Sequence, residues 1–389
     1  MKPIHPKKIL LFGAGRIGRS FIAQLFHQAG FKLVFVDIDK NLVDLLNKRK
    51  SYPVVIKGNY ETKLEISLEK ALHLDEKEQI LRELSVADIC SVSVGQRGLL
   101  GVADLLAQGI TERHSIKPLI PLDIILAENL RDAAKWMKQN LEKKIPSSLP
   151  LDEYVGLIET SIGKMVPIMT ERDLENDPLQ VFAEPYNTLI LDEKAFRNPI
   201  PDIKGLAPKK NMKAWVDRKL FIHNLGHVCL AYLGFIKNQS WKYTWEALND
   251  REIRNEVFLC MQESASVLLK MYPNEFTRDD LTAHIKDLLD RFGNKALGDT
   301  IFRVGCDLGR KLGPEDRLVP VIKSARVHGL PYQSIMKVLV SGIYFDARDE
   351  KGRMNEHDLQ FVNIFNRDVV RILTDHCKFE ASENNTILF

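Results

Sequence analysis

KILLFGAGRIGRSFIAQLFHQAGFKLVFVD, residues 8–37, is the stretch of this chain that decides the fold. It starts with an apolar run of strand character, turns at a group of glycines, continues with apolar residues at helical spacing and ends in a second strand-like run. A strand, a helix and a strand in this order form a βαβ unit, whose two strands lie parallel in one sheet. The stretch therefore predicts an α/β domain built on a parallel sheet.

The glycines of this stretch have the spacing Gly13-x-Gly15-x-x-Gly18, and the second strand ends at Asp37. Gly13 permits a tight turn, Gly15 lets the backbone approach a pyrophosphate, and Gly18 allows the helix to pack closely on the strand. A carboxylate at Asp37 can accept both hydroxyls of a ribose and repel a 2′-phosphate, which favours NAD over NADP. A glycine turn that only packs is the alternative. The residues predicted to bind NAD in a Rossmann-type domain are Gly13, Gly15, Ile17, Gly18 and Asp37.

Two later runs continue the strand pattern, ADICSVSV at 87–94 and LDIILAEN at 122–129. Val94 and Gly95 stand at the end of the first of them, at the sheet edge where open α/β sheets bind their ligands. We predict that both residues contact the cofactor. A turn that merely ends the strand explains them equally well.

The chain changes character near its middle. The runs at 154–168 and 179–191 alternate more strongly than the first strands, which predicts added strands that pair antiparallel. FRNPIPDIKGLAPKK at 196–210 concentrates proline, glycine and charge, as linkers do, and the residues after it have helical periodicity. We predict a Rossmann-type NAD-binding domain with extra strands at 1–195, a linker at 196–210 and an all-α domain at 211–389.

Composition excludes several classes of partner. The 389 residues include 55 Lys and Arg and 52 Asp and Glu, for a net charge of +3, and no cluster of one sign stands out. A nucleic acid or a membrane is therefore not a predicted partner, whereas a small molecule is. The five cysteines contain no C-x-x-C pair, which favours neither disulfides nor a zinc ribbon and fits a cytoplasmic protein. No apolar run predicts a signal peptide or a transmembrane helix.

A second chemical signal lies in DRKLFIHNLGHVCLAYLG, residues 217–234, where polar side chains interrupt an apolar helix. Burial lowers the pKa of a lysine and makes it a candidate general base, while an asparagine amide can donate to an oxygen that gains negative charge. A solvated polar stripe is the simpler interpretation of the spacing, and zinc held by two histidines at i, i+4 is a third. Four polar residues share one side of the helix, within about 140° at about 100° per residue: Lys219, His223, Asn224 and His227.

The helix carries the pattern K-x4-N-x2-H at Lys219, Asn224 and His227, by which the chain resembles the polyol-specific long-chain dehydrogenase/reductase family. The resemblance extends over nearly the whole chain, through stretches such as FGAGRIGRSFIAQLF, DIILAENLRD and GPEDRLVPVIKSARVHGLPY. It implies that Lys219 is the general base and that Asn224 and Asn129 donate to the substrate oxygen. His227 would hold the substrate hydroxyl and the lysine in register. The resemblance also implies a reaction that uses NAD and no metal. His223 does not belong to the K-x4-N-x2-H pattern and is not predicted to be a catalytic residue.

The resemblance is strongest to the branch that handles phosphorylated hexitols. It implies that a monomer or homodimer interconverts a hexitol phosphate, such as mannitol 1-phosphate, and its ketose. Two departures concern the substrate: Gly163 stands where the family has an acid that contacts a substrate hydroxyl, and Cys306 stands where this branch has an arginine. An unphosphorylated polyol or a hexuronate is the alternative substrate, and a non-catalytic NAD(H) sensor is a more distant alternative. Cations that could compensate for the missing arginine are Lys164, Arg303, Arg310 and Lys311.

Overall fold

The computed structural model describes residues 7–58 and 60–380 of the chain. The chain divides into two compact units, Met1–Val216 and Asp217–Phe389, and the boundary in the sequence falls within the helix Met212–Arg218. The first unit includes residues 196–210, because part of this segment forms a strand that pairs with its neighbour. The three-part division at residues 195 and 210 stays a prediction.

The described residues of the first unit form eleven strands. They are β1 (Lys8–Phe12), β2 (Lys32–Asp37), β3 (Ser51–Lys57), β4 (Glu61–Ser67), β5 (Lys70–His73), β6 (Ile89–Val92), β7 (Leu122–Leu126), β8 (Val155–Ser161), β9 (Val181–Ala183), β10 (Leu189–Asp192) and β11 (Leu206–Lys209). The main sheet has the order β11-β10-β8-β7-β6-β1-β2-β5, and β4-β3-β9 form a smaller sheet. From β8 to β5 the main sheet is parallel.

Strand β1 shows why the central strands of the main sheet are largely apolar. Ile9 and Leu11 lie in one hydrophobic core, and Leu10 and Phe12 lie in another, as the period of two along a strand requires. A parallel sheet covered by helices on both faces needs apolar residues at every position. The helices of the first unit are α1 (Ala23–Gln28), α2 (Lys40–Arg49), α3 (Lys77–Val86), α4 (Leu99–Ile116), α5 (Ala133–Glu142), α6 (Leu151–Tyr154) and α7 (Glu171–Asn176).

The predicted α/β class is confirmed. The first four predicted strands are also confirmed, and they correspond to β1, β2, β6 and β7. The predicted antiparallel pairing is confirmed between β8 and β10. It is wrong for the other neighbour of β8, because β8 runs parallel to β7, and for β9, which runs parallel to β3. Helix α5 lies between β7 and β8 and returns the chain, so both strands start from the same edge of the sheet. The hairpin of β3 and β4 was not predicted.

The second unit contains helices and no strand among its described residues, apart from one bridge between Tyr243 and Thr300. The predicted all-α class of this part is therefore confirmed. Its helices are α8 (Met212–Arg218), which crosses the unit boundary, α9 (Leu225–Lys237), α10 (Thr244–Asn249), α11 (Arg251–Met271), α12 (Arg278–Phe292), α13 (Ile301–Gly305), α14 (Leu308–Lys311), α15 (Val319–Val327), α16 (Gln333–Ile343), α17 (Glu356–Phe365) and α18 (Val369–Arg371).

The continuous helix Met212–Lys237 is the one described segment with the length and apolar composition of a membrane span. No segment of this kind was predicted from the sequence. The most apolar window of the helix is 72% buried inside the protein, and α9 packs against α10, α11, α13 and α16. Burial among neighbouring helices accounts for the apolar composition, since a helix covered on most sides must be apolar on most sides.

Candidate active site

In the glycine turn of the first unit, two of the three glycines leave no space for a side chain, and the third has free space beside it. Gly13 has a φ of +97°, and a side chain there would collide with the carbonyl of Ser93. A side chain at Gly18 would collide with the carbonyl of Gly13. At Gly15 an added Cβ would meet no atom within 4 Å. The space over Gly15 therefore fits the pyrophosphate of a dinucleotide.

Asp37 stands at the mouth of this turn, at the end of β2. Its Oδ2 accepts a hydrogen bond from the amide of Ala14 at 2.6 Å, and its Oδ1 accepts one from the amide of Asp39 at 2.9 Å. The carboxylate is thereby held where Rossmann-type domains bind the ribose of NAD. Ile17 is partly buried and packs against the core under the turn, so its side chain helps to hold the turn on the sheet.

Glu128 connects two of the predicted binding segments at the carboxyl edge of the sheet. Its Oε1 accepts hydrogen bonds from the amides of Val94 at 2.7 Å and Gly95 at 2.9 Å. Burial raises the pKa of this carboxyl, and the two amide donors oppose the rise. Asn129 follows directly and is exposed. Glu128, which was not predicted from the sequence, thus connects the segment that carries Val94 and Gly95 to the segment that carries Asn129.

The helix that carries Lys219 is not a regular α-helix. Residues Lys219–Asn224 form a π-helical turn between α8 and α9. The amide of Leu225 donates to the carbonyl of Leu220, five residues back. Such a turn makes residues five apart neighbours on successive turns. It therefore brings Lys219 and Asn224 together, whereas a regular α-helix would separate them by about 140°.

The predicted catalytic residues of this helix differ in exposure from His223. Lys219, Asn224 and His227 are partly exposed, and His223 is buried. A solvated stripe would consist of fully exposed side chains, so that interpretation is wrong. His223 lies against Phe292, with 5.6 Å between the ring centres. This packing agrees with the prediction that His223 is not a catalytic residue.

An aromatic ring and a carboxylate flank His227. Its ring stacks on Phe292 at 4.9 Å with the planes 8° apart, and its Nε2 lies 3.0 Å from Oδ2 of Asp299, out of line for a hydrogen bond. Burial, aided by cations such as Arg303, lowers the pKa of His227 to about 3. Its imidazole is therefore neutral near pH 7. The part of the chain described by the structure holds no group of three His, Cys, Asp or Glu suited to a metal ion; metal independence stays a prediction.

Lys219 has the acid–base property that the prediction needs. Burial, aided by the nearby charge of Arg317 and opposed by Asp316, lowers its pKa to about 8. Arg317 donates from Nε to Oδ1 of Asp316 at 2.5 Å. A lysine with a pKa near 8 is partly unprotonated at neutral pH and can take up a proton. Arg317 and Asp316 were not predicted as site residues, and the only sequence signal for them is their place in the stretch GPEDRLVPVIKSARVHGLPY.

The cations proposed to compensate for Cys306 already have partners. In the second unit, Arg303 is paired with Asp299, and Arg310 is paired with Asp307 and Asp316. Lys311 donates to the carbonyls of Val304 and Cys306. In the first unit, Lys164 is buried and donates to the amide oxygens of Gln24 and Asn187. Any phosphate would have to compete with these contacts.

The first unit has a Rossmann-type sheet, an open glycine turn and an acidic residue, Asp37, at the position typical of NAD-binding domains. The second unit carries a lysine of lowered pKa. These features define the class of an NAD-dependent dehydrogenase. Residues 7–205 match the model of the mannitol dehydrogenase Rossmann domain, and residues 211–374 match that of the mannitol dehydrogenase C-terminal domain. The chain therefore belongs to the mannitol dehydrogenase family. It is an NAD-dependent polyol dehydrogenase, and NAD(H) is its cofactor.

Comparisons with individual proteins agree with this family. In two strains of Buchnera aphidicola subsp. Acyrthosiphon pisum, a protein named mannitol-1-phosphate 5-dehydrogenase is 32% identical over 346 residues, which are 88% of this chain and 88% of the relative. The solved structure of 2-dehydropantoate 2-reductase from Geobacter metallireducens is similar with a TM-score of 0.52, over 86% of this chain and 98% of that chain. At 14% identity, this likeness shows a shared fold alone.

Proposed function

We propose that this chain interconverts mannitol 1-phosphate, or a closely related hexitol phosphate, and the corresponding ketose, such as fructose 6-phosphate. The observation that carries the proposal is Lys219, a partly exposed lysine with a pKa of about 8 on the same π turn as Asn224. The name of the Buchnera relatives supports a phosphorylated hexitol as the substrate.

The chemistry follows from the charge states of these side chains. The neutral amine of Lys219 takes the proton of a secondary hydroxyl while hydride leaves the same carbon. Bound NAD supplies the hydride acceptor. The amides of Asn224 and Asn129 donate to the oxygen as it gains negative charge, and the neutral imidazole of His227 orients the hydroxyl. In the opposite direction the ammonium of Lys219 returns the proton to the oxygen.

The remaining parts of the proposal concern the cofactor and the chain as a whole. A Rossmann-type domain at 1–195 and an all-α domain at 211–389 would be joined by the linker at 196–210. All five cysteines are free, which suits the reducing cytoplasm in which we place the protein, as a monomer or homodimer. The residues proposed to contact NAD are Gly13, Gly15, Ile17, Gly18, Asp37, Val94 and Gly95.

An unphosphorylated polyol or a hexuronate is the second candidate substrate, favoured by the engaged cations and by Gly163 and Cys306. NAD reduction should be measured with mannitol 1-phosphate, other hexitol phosphates, free hexitols and hexonates. We expect kcat/KM for a hexitol phosphate to exceed that for the free hexitol by about 100-fold, because charge-assisted hydrogen bonds to a phosphate contribute roughly 3 kcal/mol. Equal values, or a preference for a hexonate, would favour the second candidate.

The pKa of Lys219 sets the expected pH dependence. Only the neutral amine accepts a proton, so kcat/KM for polyol oxidation should rise about tenfold per pH unit below pH 8 and level off above it. Ketose reduction needs the ammonium and should decline above pH 8. Initial rates between pH 6 and pH 10 measure both limbs. A limb near pH 6.5 would instead indicate a titrating histidine, which His227, with its pKa of about 3, does not supply.

A further inference from the structure

Each unit has a π-helical turn at its proposed site. In the first unit it is Gly18–Ile22, directly after the open glycine turn, and in the second it is Lys219–Asn224. The amide at the end of a π turn reaches five residues back and so passes over the carbonyl that it would bind in an α-helix. A buried carbonyl left without a partner is destabilising. Each skipped carbonyl therefore needs another donor.

In the second unit that donor is the hydroxyl of Ser264. The amide of Leu225 donates to the carbonyls of Leu220 and Ile222 and passes over that of Phe221. Ser264 lies in α11, is fully buried, and donates from Oγ to the carbonyl of Phe221 at 2.6 Å. Its hydroxyl thus takes the place of the backbone bond that the turn has lost.

In the first unit the same arrangement involves Tyr52. The amide of Ala23 donates to the carbonyl of Gly18 and passes over that of Arg19. Tyr52 lies in β3, is fully buried, and donates from its hydroxyl to the carbonyl of Arg19 at 3.0 Å. The side chain of Arg19 in turn donates from Nε to the carbonyl of Ala14 in the glycine turn at 2.6 Å.

A third π turn, Ile372–His376, shows that a distant hydroxyl is not a general requirement. The amide of Cys377 donates to the carbonyl of Ile372, and the skipped carbonyl of Leu373 accepts from the backbone amide of Phe379 at 3.0 Å. That turn carries no residue of the proposed site. Buried hydroxyls from distant elements serve the two turns that carry or adjoin the proposed site residues.

We propose that Ser264 and Tyr52 are positioning residues for the reaction, each of which holds one π turn in place by binding the carbonyl that the turn skips. Without its hydroxyl, a skipped carbonyl regains a partner when the turn relaxes to an α-helix. In the second unit this relaxation separates Lys219 from Asn224. In the first it shifts Arg19 relative to the glycine turn. The inference rests on the proposed function, since it assigns the purpose of the turns to that reaction.

The variant Ser264→Ala tests the second unit. We expect kcat to fall on the order of 100-fold, because displacement of a catalytic group by about 1 Å has an effect of that size, while the KM for NADH stays unchanged. Ser264→Thr retains a hydroxyl and should recover most of the lost kcat. Ser266→Ala is the matched control, because Ser266 lies in the same helix and donates only to the carbonyl of Gln262 at 3.1 Å; it should keep the wild-type kcat.

The variant Tyr52→Phe tests the first unit through the affinity for NADH, whereas Ser264→Ala tests the second unit through kcat. We expect the Kd for NADH, from fluorescence titration, to rise about tenfold, which corresponds to loss of one hydrogen bond, with little change in kcat at saturating NADH. Tyr154→Phe is the matched control. Tyr154 is also buried and donates to a carbonyl, that of Lys117 at 2.9 Å, but it adjoins no π turn, so the Kd should not change.

The paired readouts separate positioning from general loosening. A kcat of Ser264→Ala equal to that of Ser266→Ala, or a Kd of Tyr52→Phe equal to that of Tyr154→Phe, would overturn the inference for that turn. A fall of kcat and a rise of Kd together in both variants would overturn it for both turns. If Lys219→Ala kept wild-type turnover, the proposed function itself would fail; an inactive Lys219→Ala beside a fully active Ser264→Ala would refute only the positioning role.

Discussion

Replacement of Lys219 by alanine should lower kcat about 10²–10⁴-fold, the usual contribution of a general acid–base group, and leave the affinity for NADH unchanged. The variant loses the amine whose pKa of about 8 allows it to take the substrate proton. The residues proposed to contact NAD belong to the other unit of the chain. Steady-state rates with a hexitol phosphate and fluorescence titration with NADH measure the two quantities separately.

Three controls sharpen this experiment. Lys219→Arg keeps a positive charge but cannot lose a proton near pH 8, so it should be as inactive as the alanine variant. Lys270→Ala removes an exposed lysine from the same unit and should keep the wild-type kcat. A small primary amine added to Lys219→Ala should restore part of the rate. A Lys219→Ala enzyme with most of its activity would remove the lysine from the mechanism, and a wild-type protein that binds NADH but turns over no polyol would favour the sensor.

Replacement of Gly15 by alanine should raise the Kd for NADH at least about tenfold, or about 1.4 kcal/mol, without loss of stability. An added Cβ at this position meets no protein atom within 4 Å, and so the fold accepts it. It would extend into the space through which the backbone approaches the pyrophosphate. Thermal unfolding without cofactor and fluorescence titration with NADH distinguish the two effects.

Two other glycines serve as controls for Gly15→Ala. Gly13→Ala should destabilise the protein itself by about 1–3 kcal/mol or more, because its φ of +97° strains any side chain and Ser93 blocks the space. Gly101→Ala in α4 also adds a Cβ with no atom within 4 Å, at a residue that is not among those proposed to contact NAD, and should change neither stability nor NADH affinity much. Wild-type NADH affinity in Gly15→Ala would show that the pyrophosphate does not pass over this turn.

The fold of the first unit was predictable because its signals are local. The stretch at residues 8–37 contains a strand, a glycine turn, a helix and a strand within one βαβ unit, and each part has its own periodicity or composition. Strand direction is not local. The parallel pairing of β8 with β7 depends on the path of α5 between them, which alternation along β8 cannot reveal. The burial of the apolar helix Met212–Lys237 could likewise not be predicted from the sequence, because it depends on the helices packed around it.

The sequence by itself determined the chemistry available to this protein: an NAD-type turn with Asp37, and a helix that contains Lys219, Asn224 and His227. The tertiary structure decided how that chemistry is arranged. The π turn that makes Lys219 and Asn224 neighbours leaves the carbonyl of Phe221 for a hydroxyl from α11, and the lowered pKa of Lys219 comes from burial beside Arg317. These effects depend on residues distant in sequence, because hydrogen bonds and desolvation act between groups that only folding brings together.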